Sequence, residues 1–216
     1  MMLVLSIAPT ARANFERPRP GEVAVRDVPG YDDHWLEARA LVDAPPETVR
    51  RWLTDFEFWP ARFHDVEATR VLERDRGHAV FRLRSHIMGR EMVLHATLGP
   101  DCLSYEAHDG SVDGLGRIFV TATGDGRTDV IMQSMAHVGG LLGRLAPHEL
   151  VRSRQRQKLT ADLTDLHRLA RARRLAATAP LTPGPAATAR PPSLTPAIAP
   201  ALRTDFSSTG ADAPSP

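Results

Sequence analysis

The sequence predicts an α+β fold: a curled seven-stranded antiparallel sheet, two short helices after the first strand, and one long C-terminal helix. Three observations carry this. An aromatic-rich stretch, Ala40 to Phe63, joins a strand to a helix pair. Six segments with strand character and short connections follow it. A leucine stripe at helical spacing then runs toward Arg174.

The first strand is expected over His34 to Val42, with Trp35, Ala38 and Leu41 among its apolar positions. Ala44-Pro45-Pro46-Glu47 opens a helix, because proline suits a first helical turn and an acid there complements the helix dipole. Val49, Trp52 and Leu53 form one face of it at i, i+3, i+4 spacing. Asp55 is expected to cap a second helix carrying Phe56, Trp59 and Phe63. Pro60 makes that helix short or irregular.

The strands expected next are Val66 to Glu73, His78 to Ile87, Glu91 to Leu98, Leu103 to His108, Gly116 to Ala122 and Asp129 to His137. Asp75-Arg76-Gly77, Met88-Gly89, Gly99-Pro100-Asp101 and Gly124-Asp125-Gly126 punctuate them, and Asp109 to Gly114 reads as a loop. His78 to Ile87 alternates with period two: Ala79, Phe81, Leu83, Ser85 and Ile87 against His78, Val80, Arg82, Arg84 and His86. Gly139-Gly140 ends the sheet and Pro147 opens the long helix. In that helix Leu159, Leu163, Leu166 and Ala170 make an apolar stripe widened by Leu169. Upstream the same stripe holds His148, Arg152 and Gln155, which are polar.

Seven antiparallel strands twist and curl, and their concave side needs a cover. The leucine half of the long helix can pack there, whereas its polar half cannot fill a dry core. A pocket for water or a ligand is therefore expected between helix and sheet. Its expected lining is Trp52, Phe56, Trp59, Phe81, Leu83, Met92, Leu94, Tyr105, Phe119 and Met132, with Arg152 and Gln155 at the mouth.

The chain has 216 residues, of which 42% are hydrophobic and 25% charged. That is ordinary for a globular protein. Residues 1–20 read as an N-terminal segment, 21–175 as one domain, and 176–216 as a disordered tail dominated by Pro, Ala and Thr. The segment MMLVLSIAPTARANF lacks a basic n-region, and its apolar run is short for an export signal. It reads as the remnant of such a signal or as a frayed terminus, with a cytoplasmic location slightly favoured. No run approaches the roughly 20 apolar residues of a membrane-spanning helix.

The net charge of +1 excludes strong steering toward nucleic acid by the chain as a whole. The long helix is basic (Arg152, Arg154, Arg156, Lys158, Arg168, Arg171, Arg173 and Arg174) without interleaved aromatics, so peripheral contact with an anionic membrane fits it better than nucleic acid. The single cysteine, Cys102, excludes an intramolecular disulfide and a CxxC zinc site. No HxH or HExxH spacing occurs among the nine histidines, and no metal is expected. Arg84, Glu91 and His95 could share one face, but Phe81, Leu83, Met92 and Leu94 suit the cavity better. The charged set is expected on the convex, solvated side.

The stretch after the first strand, DAPPETVRRWLTDFEFWPARF, resembles the START-like helix-grip superfamily at Val42, Ala44, Pro45, Glu47, Val49, Leu53, Asp55, Phe56, Trp59 and Pro60. The superfamily includes polyketide cyclases and lipid-transfer domains. The resemblance covers about Glu22 to Arg173. It implies a deep, largely apolar cavity for a lipid, isoprenoid or polyketide-like molecule, without a bound cofactor. Binding or transport of such a ligand is the leading reading. A cofactor-free cyclase, aromatase or dehydratase is the alternative, and an all-apolar cavity would sink it. A partner-binding module with a filled pocket is the third; a cavity well below about 300 Å³ would favour it and undercut both other readings.

Overall fold

A computed structural model of the chain describes residues 15–28, 35–100, 102–108, 112–138 and 148–178. Eight strands form one antiparallel sheet: β1 (Val23–Asp27), β2 (Trp35–Val42), β3 (Val66–Arg74), β4 (His78–Ser85), β5 (Arg90–Leu98), β6 (Cys102–His108), β7 (Val112–Ala122) and β8 (Thr128–Val138). Helix α1 (Pro46–Thr54) and helix α2 (Trp59–Arg62) lie between β2 and β3, and α3 (His148–Thr178) follows the sheet. The strand order is β1-β2-β8-β7-β6-β5-β4-β3. The meander from β3 to β8 thus returns to pair with β2.

The sheet has one strand more than the seven expected. Val23–Asp27 pairs antiparallel with β2, placing Val25 opposite Ala38. Five residues at a sheet edge carry too short an alternation to be read as a strand from sequence. A second correction concerns β7, which begins at Val112 rather than Gly116. Gly114 and Gly116 are paired in the ladder, opposite Ala136 and Ser134 on one side and Ala107 and Tyr105 on the other. Cross-strand pairing overrides their weak intrinsic preference for extended backbone. The expected end of the sheet at Gly139-Gly140, the helix opening at Pro147, and the tail beyond Thr178 lie outside the described residues.

Helix α1 starts on Pro46, with Glu47 in its first turn, as the proline pair dictates. Asp55 does not cap the next element through its side chain. Its carboxylate instead accepts a bond from Arg62 Nη2 at 3.3 Å. The aromatic segment is a 3-10 turn, Phe56–Phe58, running into the single turn of α2, which carries Pro60 in its first positions.

Residues opposite one another across a ladder share a face, and faces alternate along each strand. The concave face therefore carries Ala38, Ala40 and Val42 of β2, Met132 and Val130 of β8, Ile118 and Val120 of β7, and Tyr105 of β6, all buried. Leu159, Leu163, Leu166 and Ala170 of α3 are buried against this face. Phe56 and Phe81 stack with centroids 4.3 Å apart, and the edge of Trp59 meets both rings. On the opposite face Arg82, Arg84 and Glu91 form half-exposed ion pairs at 3.6 and 3.7 Å. His95 is exposed beside them.

The outer face of β1 and β2 is not solvated in the same way. Arg26 donates to the buried Glu37 at 2.8 Å, and Gln133 donates to the same carboxylate at 2.7 Å. Arg39 clasps Asp129 through Nε at 2.9 Å and Nη2 at 2.6 Å. The segment before β1 lies over these groups: Phe15 offers its carbonyl to Arg39 and its ring, 4.2 Å away, to Arg26.

Candidate functional site

Helix α3 packs on the concave face of the sheet. From Leu159 onward its buried positions are Leu159, Leu163, Leu166 and Ala170, with Asp165 the one acid among them, and the helix packs on β1, β2 and β8. One turn earlier the inward positions are Gln155 and Lys158, with Asp162 beside them. Under this part of the helix lies a cavity of about 180 Å³. Leu83, Met92, Leu94, Tyr105, Ile118 and Met132 supply its sheet wall, and Trp59 forms part of the rest.

Two glycines help make the space. Gly114 and Gly116 occupy concave positions on the wall, where their cross-strand neighbours Ala107 and Tyr105 bear side chains. A Cβ on Gly116 would sit 3.7 Å from Tyr105 Cδ2 and 3.8 Å from the Gln133 carbonyl oxygen, which is ordinary contact. Neither backbone conformation nor crowding requires glycine there. The missing side chains leave bare backbone as cavity floor. For this reason Gln133 and Arg117 border the cavity although their side chains belong to the outer face, where Gln133 bonds Glu37 and Arg117 lies over Trp35.

One end of the cavity carries charge. Lys158 Nζ donates to both oxygens of Asp162 at 2.7 Å and stands 3.0 Å from Asp65 Oδ2. The Asp65 side chain is fully buried and also accepts from Ser85 Oγ at 2.8 Å and the Ile87 amide at 2.7 Å. Burial lowers the pKa of Lys158, but Asp162 and Asp65 outweigh it and hold the ammonium above its ordinary range. Burial raises Asp162 above the usual carboxylate range, Lys158 opposes this, and Asp65 and Asp165 reinforce it. Burial, with a smaller effect of Asp162, pushes the Tyr105 phenol far up, so it stays protonated. One turn on, Asp165 accepts from the His64 amide at 2.7 Å, from its ring Nδ1, and from Arg168 Nε at 3.2 Å. His64 and Asp65, adjacent in the chain, thus tie two successive turns of α3 to the start of β3.

Among the described residues two buried side-chain donors have no hydrogen-bond partner, Trp59 Nε1 and Gln155 Nε2, and both residues border the cavity. An unpaired buried donor costs about 1–3 kcal/mol. Among the described residues no group of three or more His, Cys, Asp or Glu is arranged to hold a metal ion. No helix among them is long and apolar enough to cross a membrane.

The structure brings Trp59, Leu83, Met92, Leu94, Tyr105, Met132 and Gln155 together around the cavity. It places the other five expected residues elsewhere. Phe56 and Phe81 are fully buried in the aromatic stack. Trp52 packs on the core from α1. Phe119 faces outward, because Ile118 and Val120 on either side of it take the concave face. Arg152 reaches the edge strand, where it pairs with Asp27. Sequence reasoning missed Lys158, Asp162, Gly114 and Gly116. Lys158 and Asp162 follow Gln155 at i+3 and i+7, so extending the polar stripe one turn into the leucine half would have found them.

A curled antiparallel sheet gripping a long helix over a mostly apolar cavity defines a helix-grip protein of the ligand-cavity type. Residues 34–171 match the family described as polyketide cyclase / dehydrase and lipid transport, and the chain belongs to that family. No curated protein matches it in sequence. Among solved structures it is similar to an aromatase/cyclase from Streptomyces (20% identity, TM-score 0.60, covering 72% of this chain and 99% of that one). It also resembles a START superfamily protein from Mycobacterium smegmatis (17%, 0.55, 64% and 98%). Human StAR-related lipid transfer protein 5 is a third (14%, 0.56, 75% and 88%). At these identities the likeness is one of fold.

Proposed function

We propose that the chain binds a hydrophobic small molecule, a lipid, isoprenoid or polyketide-like compound, between α3 and the sheet. The observation that carries this reading is the cavity itself: apolar side chains from five strands and Trp59 wall a space that Gly114 and Gly116 leave open. Apolar burial would supply the affinity and the few polar wall groups the orientation. The volume lies below the roughly 300 Å³ at which drug-sized sites begin, so a compact ligand fits best. Small size also favours a pocket meant to be filled by side chains.

Native mass spectrometry of the purified chain, with extraction of any bound compound, tests this reading. A recurrent organic adduct is expected. Bare protein in preparation after preparation, together with no binding of apolar probes, contradicts it.

A second reading has its own observation. Lys158 and Asp162 give the cavity a titratable wall, so the condition that would sink an enzyme is not met. In a cofactor-free cyclase or dehydratase, Asp162 would move the proton. Consumption of a polyketide-like substrate by the wild type and not by Asp162→Asn would support it. Peripheral contact with an anionic membrane through α3 is supported by exposed Arg154, Arg171 and Arg173. It is weakened by the engagement of Arg152, Lys158 and Arg168 with carboxylates.

A further inference from the structure

The charged end of the cavity can be counted bond by bond. An ammonium has three protons. Lys158 Nζ directs two at the oxygens of Asp162, 2.7 Å away, and stands 3.0 Å from Asp65 Oδ2. Asp65 also accepts from Ser85 Oγ at 2.8 Å and the Ile87 amide at 2.7 Å, and its side chain has no accessible surface. Lys158 and Asp65 are therefore fully engaged, whereas Asp162 has capacity left. An ionised carboxylate offers about four lone-pair positions. Lys158 fills two of them, and no other described group donates to Asp162. The Asp162 side chain keeps 19% of its surface accessible and borders the cavity.

The other polar groups of the wall do not offset this. Ser134 borders the cavity from a concave position of β8, opposite Gly116, and a hydroxyl serves donors and acceptors alike. The unpaired N–H groups of Trp59 and Gln155 have no surface open to a ligand. Gln133 is committed to Glu37 and Arg117 lies over Trp35, both on the outer face. The charged end thus has acceptor capacity at one carboxylate and no cation to spare. A ketone or ether finds no donor there beyond Ser134, and an anionic ligand meets carboxylates. An ammonium would reach Asp162 only beside the ammonium of Lys158, against like-charge repulsion.

We infer that the ligand carries a neutral hydroxyl, as an alcohol, phenol or enol, that donates to Asp162, and that the site ranks it above a ketone or carboxylate of the same shape. This inference rests on the proposed binding function and names the functional group of its ligand. A hydroxyl gives up its bonds to water on entering an apolar cavity, and a charged acceptor compensates that loss better than a neutral one. The size follows from the volume. An apolar cavity of about 150 Å³ accepts benzene, so about 180 Å³ suits one ring to two fused rings, or an aliphatic group of similar bulk.

The test uses four probes of one shape: tetralin, 2-tetralol, 2-tetralone and tetralin-2-carboxylate. Each is titrated calorimetrically into the full chain at about pH 8, where a carboxylate held by an ammonium is ionised. The wild type is expected to bind 2-tetralol about tenfold more tightly than 2-tetralone, the worth of a hydrogen bond to a charged group. It is expected to bind the carboxylate more weakly than either. In Asp162→Leu the ratio of tetralol to tetralone affinity should fall toward unity, irrespective of any change common to all the probes. A second measurement needs no variant. In wild-type protein labelled with carbon-13 at its aspartate carboxyl groups, one carboxyl resonance should move further with 2-tetralol than with 2-tetralone. Equal affinities for these two probes in the wild type, or preference for the ketone or the carboxylate, overturn the inference and leave the binding function standing. So does an unchanged ratio in folded Asp162→Leu. Should that variant fail to fold, carboxyl resonances that respond alike to both probes overturn the inference instead. Failure of all four probes to bind folded wild-type protein overturns the binding function itself, and this inference with it.

Discussion

Lys158 of α3 and Asp65 at the head of β3 meet at 3.0 Å, and the Asp65 side chain is wholly out of water. The contact makes the cavity lid and the sheet one unit. Removing one partner of a buried pair strands the other, at a cost of about 3–5 kcal/mol. Lys158→Met is expected to lose about 3 kcal/mol, the lower end because the lysine is partly exposed. Adding Asp65→Asn should restore part of the loss. Urea unfolding of the two single variants and the double variant measures the coupling, and purely additive losses would show that the pair is not one.

Asp162 gives the fold a specific pH dependence. Burial first, then Asp65 and Asp165, raise its pKa against the pull of Lys158. The folded state keeps a proton that the unfolded chain releases near pH 3.9. Stability from that proton is complete below the unfolded value and is lost as pH rises through the folded one. As pH rises above about 4 and through the raised folded-state pKa, the wild type should lose stability relative to Asp162→Asn. Lys158, also raised, adds stability that is lost only as pH rises beyond about 10.4. Urea midpoints across this range for both proteins give the slope, and parallel curves would refute the assignment to Asp162.

Gln155 carries an unpaired buried donor in a residue that borders the cavity. Its Nε2 is buried without a partner. Replacement by methionine, close in shape and without the donor, is expected to stabilise the ligand-free protein by about 1 kcal/mol. A lower melting temperature for Gln155→Met would mean that the amide is satisfied in solution.

Gly116 tests whether the cavity is open by selection of a small residue. The added methyl of Gly116→Ala meets only ordinary contacts. Stability should stay level or rise by up to about 1 kcal/mol, since glycine weakens a strand interior. Affinity for tetralin-sized probes should fall several-fold. Paired melts and titrations distinguish these effects, and unchanged affinity would place the ligand away from β7.

Phe81 separates core from cavity. It stacks on Phe56 and is fully buried, although it shares its strand face with Leu83, which borders the cavity. Phe81→Leu is expected to cost about 1–3 kcal/mol in unfolding measurements and to leave the affinity for apolar probes of the cavity unchanged.

That last pair shows what was legible in the sequence and what was not. Alternation along His78 to Ile87 placed Phe81 and Leu83 on the inner face, and helical spacing placed Leu159, Leu163, Leu166 and Ala170 on one stripe. The helix-opening prolines and the aromatic turn located α1 and α2. Period reports a face, however, and not a depth along it. Whether an inward side chain ends under Phe56 or beside Met92 depends on where the aromatic turn lands, which is a tertiary fact. Phe119 is misplaced because Asp109 to Gly114 reads as a loop and the strand as starting at Gly116, so the parity of β7 has no firm start. The glycine floor was invisible for a simpler reason: a wall made by missing side chains leaves no apolar signal. Val23–Asp27 was too short to register.

Diffraction from crystals soaked with a brominated naphthalene tests the account most directly. The bromine's anomalous peak is expected between α3 and the sheet, within van der Waals reach of Trp59, Met92 or Tyr105, at one site per chain. A peak confined to the outer face, or none under α3 at saturating probe, would contradict a ligand cavity at this place in the fold.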